Sequence, residues 1–148
     1  MNLQFAEYHN GRGLVTVKAM DTAILESIDQ IKKLGRNVRP TPSSIFQSEL
    51  VKRGWTVEEP VPQTNLRLDG FHSSKVGIEI EMTDPQDLLR ALIKLQLAYV
   101  RNKIDVGVII TYQDSFRGDN IPHMSNVKRW YDTLFMFLTF PLWLIGLG

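Results

Sequence analysis

Asp69, Glu79 and Glu81 are spaced as a pair of strands would need to gather three carboxylates in one place. In Lys75-Val76-Gly77-Ile78-Glu79-Ile80-Glu81-Met82 a period of two sends Val76, Ile78, Ile80 and Met82 one way and Lys75, Gly77, Glu79 and Glu81 the other. Two acids therefore share one strand face. Asp69 follows the alternating Leu66-Arg67-Leu68, and the polar His72-Ser73-Ser74 reads as a turn that folds Asp69 back beside Glu79. Like charges so close repel, and the repulsion is offset by a bound cation, a shared proton or nearby basic side chains. The cation is the favoured answer, with Mg²⁺ as the hard, oxygen-seeking choice and Mn²⁺ as its substitute. The competing reading is a solvated acidic face, since any half-exposed strand alternates in this way.

The elements that must position these acids favour a site. Asp84 stands where an N-cap would, Pro85 at the first helical position and Asp87 in the first turn, so a helix starts here. Leu88, Leu92, Leu95 and Tyr99 fall at helical spacing, Leu89, Ile93 and Val100 widen the stripe, and Asn102 ends it. The run Ile104 to Tyr112 lacks alternation, and its Val106, Val108, Ile109 and Ile110 predict a strand buried on both faces. Strand, helix, buried strand is a crossover unit with parallel strands. The acids then sit on a central strand backed by a helix.

Asp69, then Ile78-Glu79-Ile80-Glu81, then this helix and Ile104-Asp105-Val106-Gly107-Val108-Ile109-Ile110-Thr111 resemble the core of the BamHI/BglII group of type II restriction endonucleases, within the PD-(D/E)xK nuclease superfamily. Ser48-Glu49-Leu50-Val51 with Trp55 and Pro60-Val61-Pro62 resembles that group's approach to its catalytic hairpin, and Phe140-Pro141-Leu142-Trp143-Leu144-Ile145-Gly146-Leu147 its last core strand. The resemblance implies an α/β, restriction-endonuclease-like core, a central mixed β-sheet flanked by helices. It makes Asp69 and Glu79 metal-bridging carboxylates and the backbone carbonyl of Ile80 a further metal ligand. Glu81 stands where most of the superfamily has lysine, a departure the subgroup accepts. A carboxylate there cannot stabilise charge as an ammonium would; it holds or orients water, or acts as a base. More of the transition-state stabilisation then falls to the metal.

Glu49 is the fourth catalytic candidate. Thr41 to Gly54 reads as a helix with Thr41 as N-cap, Pro42 at N1, Phe46 and Leu50 one turn apart and Gly54 at its end. Glu49 lies one turn after Ile45 and beside Leu50, near the buried stripe. Either it joins the acids, as in nucleases of this type, or it is an exposed helix glutamate. Asp84 and Asp87 read as caps and Asp105 as the residue leading into its strand.

Composition fits one domain over residues 1–148: 43% hydrophobic content suffices for one core. With no cysteine, disulfide scaffolds and thiol chemistry are excluded, and Met1-Asn2-Leu3-Gln4 lacks the basic start of a signal peptide, so a cytoplasmic setting is expected. The formal charge is only +1, but setting aside the four candidate acids leaves 12 of 16 acidic residues against 17 basic ones, or +5, and a basic surface is what phosphate contact requires. The opening segment through Val17 reads as a strand or an arm, Asp21 to Leu34 as a helix closed by Gly35, and Arg36 to Pro42 as an extended connector whose basic residues are placed for DNA backbone or solvent. Asp114 to Ser125 reads as a loop, followed by a last helix from Lys128 with Trp130, Leu134 and Phe137 that ends near Phe140. The uncharged tail from Leu134 to Gly148 is broken by Pro141 and shorter than the about 20 residues a membrane helix needs, so a buried strand over Leu142 to Leu147 is expected and no membrane.

Other chemistries fare worse. His9, His72 and His123 are too scattered for zinc, no Gly-rich phosphate loop occurs, and His72-Ser73-Ser74 lacks the elbow of a hydrolase triad. A glycosidase usually takes its two acids from separate elements. The expected protein is a Mg²⁺-dependent, sequence-specific endodeoxyribonuclease acting on double-stranded DNA as a homodimer. The alternative is a non-cleaving DNA-binding or regulatory protein that retains the nuclease fold.

Overall fold

The chain runs β1 (Leu3–Tyr8), α1 (Gly11–Val17), α2 (Asp21–Leu34), α3 (Pro42–Lys52), β2 (Thr56–Pro60), β3 (Arg67–His72), β4 (Val76–Ile80), α4 (Pro85–Val100), β5 (Val106–Tyr112), α5 (Met124–Thr133) and β6 (Leu142–Leu147) in a computed structural model that describes residues 2–34, 42–115 and 121–148. The strands form one mixed sheet in the order β1-β6-β5-β4-β3-β2. β4, β5 and β6 are parallel, with Glu79 opposite Ile109 and Val108 opposite Trp143, while β1, β2 and β3 join antiparallel. This is the α/β fold class expected, and its sidedness follows from residue parity.

One face carries Val76, Ile78, Ile80, Val106, Val108 and Ile110 beneath Ile24, Ile28 and Ile31 of α2 and Phe46 and Leu50 of α3. The other carries Ile109, Leu142 and Leu144 beneath Leu88, Leu92 and Leu95 of α4 and Val127 and Tyr131 of α5. β5 and β6 are therefore covered on both sides, which explains their unbroken apolar runs. Each fully buried Leu, Ile or Val contributes about 1.5–3 kcal/mol over its exposed state. Glu79 has the parity of Ile109 and enters the α4 layer as a carboxylate among aliphatic side chains.

α4 begins at Asp84, whose side chain accepts from Gln86 N, with Pro85 at the first helical position, and it closes through Asn102 at φ 59°, where a left-handed residue lets the chain turn into β5. Three expectations need correction. The opening segment is neither strand alone nor arm: β1 is followed by α1, too short and glycine-rich to show a periodic stripe. α5 begins at Met124, not Lys128, because Asn126 Oδ1 accepts the His123 N–H at 3.0 Å and caps it there. It ends at Thr133, not near Phe140; Leu134 to Phe137 form a turn that leaves Phe135, Met136 and Phe137 exposed. The uncharged tail is strand β6, buried between β1 and β5, and no described helix is long and apolar enough to cross a membrane. The Gly35 and Thr41 caps, most of the 36–42 connector and residues 116–120 of the loop lie outside the described residues.

Candidate active site

β3 and β4 form a hairpin whose two ends behave differently. At the turn, His72 pairs with Val76, the Lys75 N–H donates to the His72 carbonyl at 2.8 Å, and Lys75 takes φ 71°, the left-handed third residue of a three-residue loop. The ladder continues through Phe71 and Gly77 to Gly70 and Ile78 and then stops. One step on, a side chain replaces the backbone: Asp69 Oδ2 accepts the Ile80 N–H at 2.8 Å. β3 also turns over here. Leu68 faces α4, since a Cβ on Gly77 would meet Leu68 Cδ1 at 3.2 Å, whereas a Cβ on Gly70 would meet Leu50 Cδ1 of α3 at 2.6 Å. Gly70 is thus required by the close approach of α3.

The neighbouring edge strand is distorted at the same level. Val57 pairs with Gly70 and Glu59 with Leu68, while Glu58, between them, sits at φ 52°, a strained value for a residue with a side chain. Gln47 of α3 spans the gap, its Nε2 donating to the Asp69 carbonyl and to Glu58 Oε1, both at 3.0 Å. Asp69 is therefore held at both ends, its carbonyl by a helix and its carboxylate by β4.

Glu79 is 2% exposed. Burial, then the neighbouring Asp69 carboxylate, push its carboxyl well above the usual carboxylate range, and the Lys94 ammonium pulls only partly back. Lys94 comes from α4. Its Nζ lies 2.5 Å from Glu79 Oε1 and donates to the Arg67 carbonyl at 3.0 Å. Oε1 thus has the Lys94 ammonium as its counter-charge. Asp69, Glu79, Ile80 and Glu81 line one cleft of about 260 Å³, closed by Ser43 of α3 and by Asp87, Arg90, Ala91 and Lys94 of α4.

Three of the four candidate acids thus meet, and Glu81 does so with one oxygen engaged. Its Oε1 accepts from Thr83 N, Thr83 Oγ1 and Asp84 N at 2.6–3.0 Å, fixing the turn that launches α4. Oε2 is the oxygen left for water or substrate. Glu49 is not brought to the cleft: its carboxylate pairs with Lys52 and Arg53, both at 2.8 Å, and these hold its carboxyl below the usual range. The reason is helical phase. Ser43 and Gln47 flank the Phe46–Leu50 stripe on the cleft side, and Glu49 flanks it on the other.

Sequence reasoning missed Lys94, Arg90 and Gln47. The signal for the first two was present, because Asp87, Arg90, Ala91 and Lys94 recur at i, i+3, i+4 and i+7 beside the apolar stripe of α4. The cleft's ligand atoms are hard oxygens, those of the two adjacent carboxylates Asp69 and Glu79. Among the described residues no three acidic, histidine or cysteine side chains converge at ligand distance. Such a set fits Mg²⁺, which keeps several waters and takes one or two carboxylates plus substrate phosphate.

The model of the restriction endonuclease BglII/BglIII family matches residues 15–147. Among solved structures, that of free BglII superposes with a TM-score of 0.70 at 17% identity, over 100% of this chain and 80% of that one. No curated protein sequence matches.

Proposed function

The chain belongs to the restriction endonuclease BglII/BglIII family, endonucleases that hydrolyse DNA phosphodiester bonds, and from that premise we propose a Mg²⁺-dependent, sequence-specific type II enzyme acting on double-stranded DNA. The observation that supports it best is the buried Glu79 beside Asp69, an acid pair short of positive charge in a cleft open to solvent. Asp69, Glu79 and the Ile80 carbonyl would hold Mg²⁺ or Mn²⁺, which supplies charge stabilisation and an acidified water. Asp69 is kept in register by Ile80 N and Gln47, so the pair stays oriented before DNA arrives. Glu81 Oε2 orients the attacking water. In-line attack on phosphorus breaks the bond to the 3′ oxygen, leaving a 5′-phosphate and a 3′-hydroxyl.

The working form is read as a two-fold homodimer, because one cleft cuts one strand and a palindromic duplex presents two. Incubating the protein with unmodified plasmid and genomic DNA, in Mg²⁺ or EDTA, and sequencing the ends tests the proposal. Site-specific ends in Mg²⁺ alone are expected. Intact DNA in both would overturn it, and a monomer by light scattering, with and without duplex, would leave nicking in place of paired cutting.

A further inference from the structure

The cleft has a charge problem that its acids make worse. A DNA phosphate must approach Asp69, Glu79 and Glu81, and like charges brought close there repel. The cations lining the cleft among the described residues are Arg90 and Lys94. Arg90 is largely exposed and 3.9 Å from Asp87, whereas the Lys94 side chain is only 15% exposed. Lys94 is held by an oxygen of β3 and one of β4 across the open end of the hairpin, beside the acids.

Its hold on Glu79 is the kind that can be given up. The ammonium pairs with Oε1 at 2.5 Å, and its bond to the Arg67 carbonyl at 3.0 Å holds it at the cleft independently of Glu79. A cation bound between Asp69 and Glu79 would take over Oε1 and leave Lys94 Nζ in the cleft with donors to spare, since an ammonium has three.

Resting on the nuclease reading, we propose that Lys94 is a catalytic residue, the donor from α4 that contacts a non-bridging oxygen of the scissile phosphate and stabilises the charge gathering there. It gives a hydrogen bond and keeps its proton. In the metal-free protein the same ammonium is the counter-ion of Glu79, so one side chain serves both states. Lysine suits this double use better than arginine, because its compact charge sits on a flexible stem.

The test compares wild type, Lys94→Gln and Lys94→Arg, which keeps a cationic donor at the same position of α4. Single-turnover cleavage is read in Mg²⁺; Ca²⁺ affinity by calorimetry, duplex affinity in Ca²⁺ and folding by circular dichroism are read beside it. Lys94→Gln is expected to cut at least about 100-fold more slowly, as loss of one transition-state donor does, with Ca²⁺ affinity equal or tighter and duplex affinity within about tenfold. Lys94→Arg is expected to keep the rate within about tenfold of wild type. Cleavage by folded Lys94→Gln within about threefold of wild type overturns the role, as does a folded Lys94→Arg as slow as Lys94→Gln. So does a fall in Ca²⁺ affinity that matches the fall in rate, which would make Lys94 a positioning residue for Glu79. If Lys94→Gln does not fold, Lys94→Arg decides: about tenfold loss or less is expected, and a folded but inert Arg variant overturns the role. A wild type that never cuts overturns the nuclease reading and this role with it, whereas equal cutting by wild type and Lys94→Gln overturns this role alone.

Discussion

The two ends of β4 each gather carboxylates and lysines, with opposite balance. At the end where the strand begins, Asp105 receives two ammonium groups, Lys18 at 2.9 Å and Lys75 at 3.2 Å, and its side chain is 44% exposed. Lys18 first and Lys75 with it hold its carboxyl below the usual range. At the other end the ammonium of Lys94 pairs with Glu79, beside which Asp69 stands as a second acid; Glu79 is buried in the cleft wall, and its carboxyl is pushed up. One cluster is complete and stabilises the fold. The other is short of positive charge, and an acid cluster the fold leaves incomplete is where a ligand is to be sought.

The same contrast appears in the backbone. Near Asp105 the ladder is intact: Val76 pairs with Val106, and the Asp105 N–H donates to the Lys75 carbonyl at 2.8 Å. Around Asp69 the ladder stops, β3 turns over, Glu58 is strained and a glutamine bridges the gap. A regular sheet has no room for a cation between strands. Opening the hairpin provides it, at a cost of order 1–3 kcal/mol for the strained residue alone.

The largest effect that would break this comparison is on cleavage. Asp69→Ala and Glu79→Ala are each expected to lower the Mg²⁺-supported rate by at least about 10³-fold while circular dichroism stays native, because each deletes a cation ligand. Asp105→Asn removes a fully paired acid and is expected to leave the rate within about twofold, with a loss of at most about 1 kcal/mol in denaturant unfolding, the scale of an exposed pair. Equal rate losses at the two ends would show that the charge balance does not mark the site.

A smaller effect separates the two roles of Glu81. Glu81→Gln keeps an oxygen to accept from Thr83 and Asp84 and loses the charge; Glu81→Ala loses both. Cleavage is expected to fall by about tenfold or less in Gln and by about 100-fold in Ala, a general acid–base contribution at its lower end, with α4 less stable to hydrogen exchange at its first turn only in Ala. Equally dead variants would make Glu81 a charged base or a direct ligand.

Stability should separate the two ends by the sign of its pH dependence. The Glu79 carboxyl titrates higher in the folded protein than in the unfolded chain, so its contribution is full below the ordinary carboxyl range and is lost as pH rises through the raised value. Asp105 runs the other way: its contribution is present above the ordinary range and lost as pH falls through its depressed value. In metal-free protein, Glu79→Gln is therefore expected to match wild type near pH 4 and exceed it at pH 8, while Asp105→Asn falls below it at pH 8 and converges in acid. Thermal melts in EDTA across that range check both, and a Glu79→Gln variant less stable than wild type at pH 8 would mean that Lys94 fully offsets Glu79.

How much of this was legible depends on whether a signal is local. The hairpin acids, the capped α4 and the buried β5 and β6 follow from parity, N-cap chemistry and unbroken apolar runs, each readable within about ten residues. Lys94 was written along α4 but looks like any solvated lysine beside a stripe until the sheet beneath is known to carry a buried acid. The early start of α5 was hidden because Pro122-His123-Met124 reads as loop until Asn126 is seen to cap it. In α3 the ambiguity was geometric. Ile45 and Glu49 lie on one flank of the Phe46–Leu50 stripe, Ser43 and Gln47 on the other, and helical period alone does not say which flank faces the site.

That ambiguity yields the smallest expected effect. Glu49 resembles Asp105 rather than Glu79, with two basic partners and a carboxyl held low by Lys52 first and Arg53 second. Its partners are three and four residues along the same helix, so the cluster is local to α3, with Arg53 reaching on to Glu26 of α2 at 3.4 Å. Glu49→Gln should therefore leave cleavage rate and Ca²⁺ affinity at wild-type values. It removes an acid whose ionised form is favoured in the folded state, so a slight destabilisation is expected at pH 7 that fades as pH falls below the ordinary carboxyl range, opposite in sign to Glu79→Gln. Gln47→Ala, two residues earlier on the other flank, is the control: it unties the Asp69 carbonyl and is expected to slow cleavage by about 10- to 100-fold without touching either ion pair, the scale for a residue that orients a ligand. A slow Glu49→Gln beside an undisturbed Gln47→Ala would mean that α3 presents its other flank to the acids when DNA is bound.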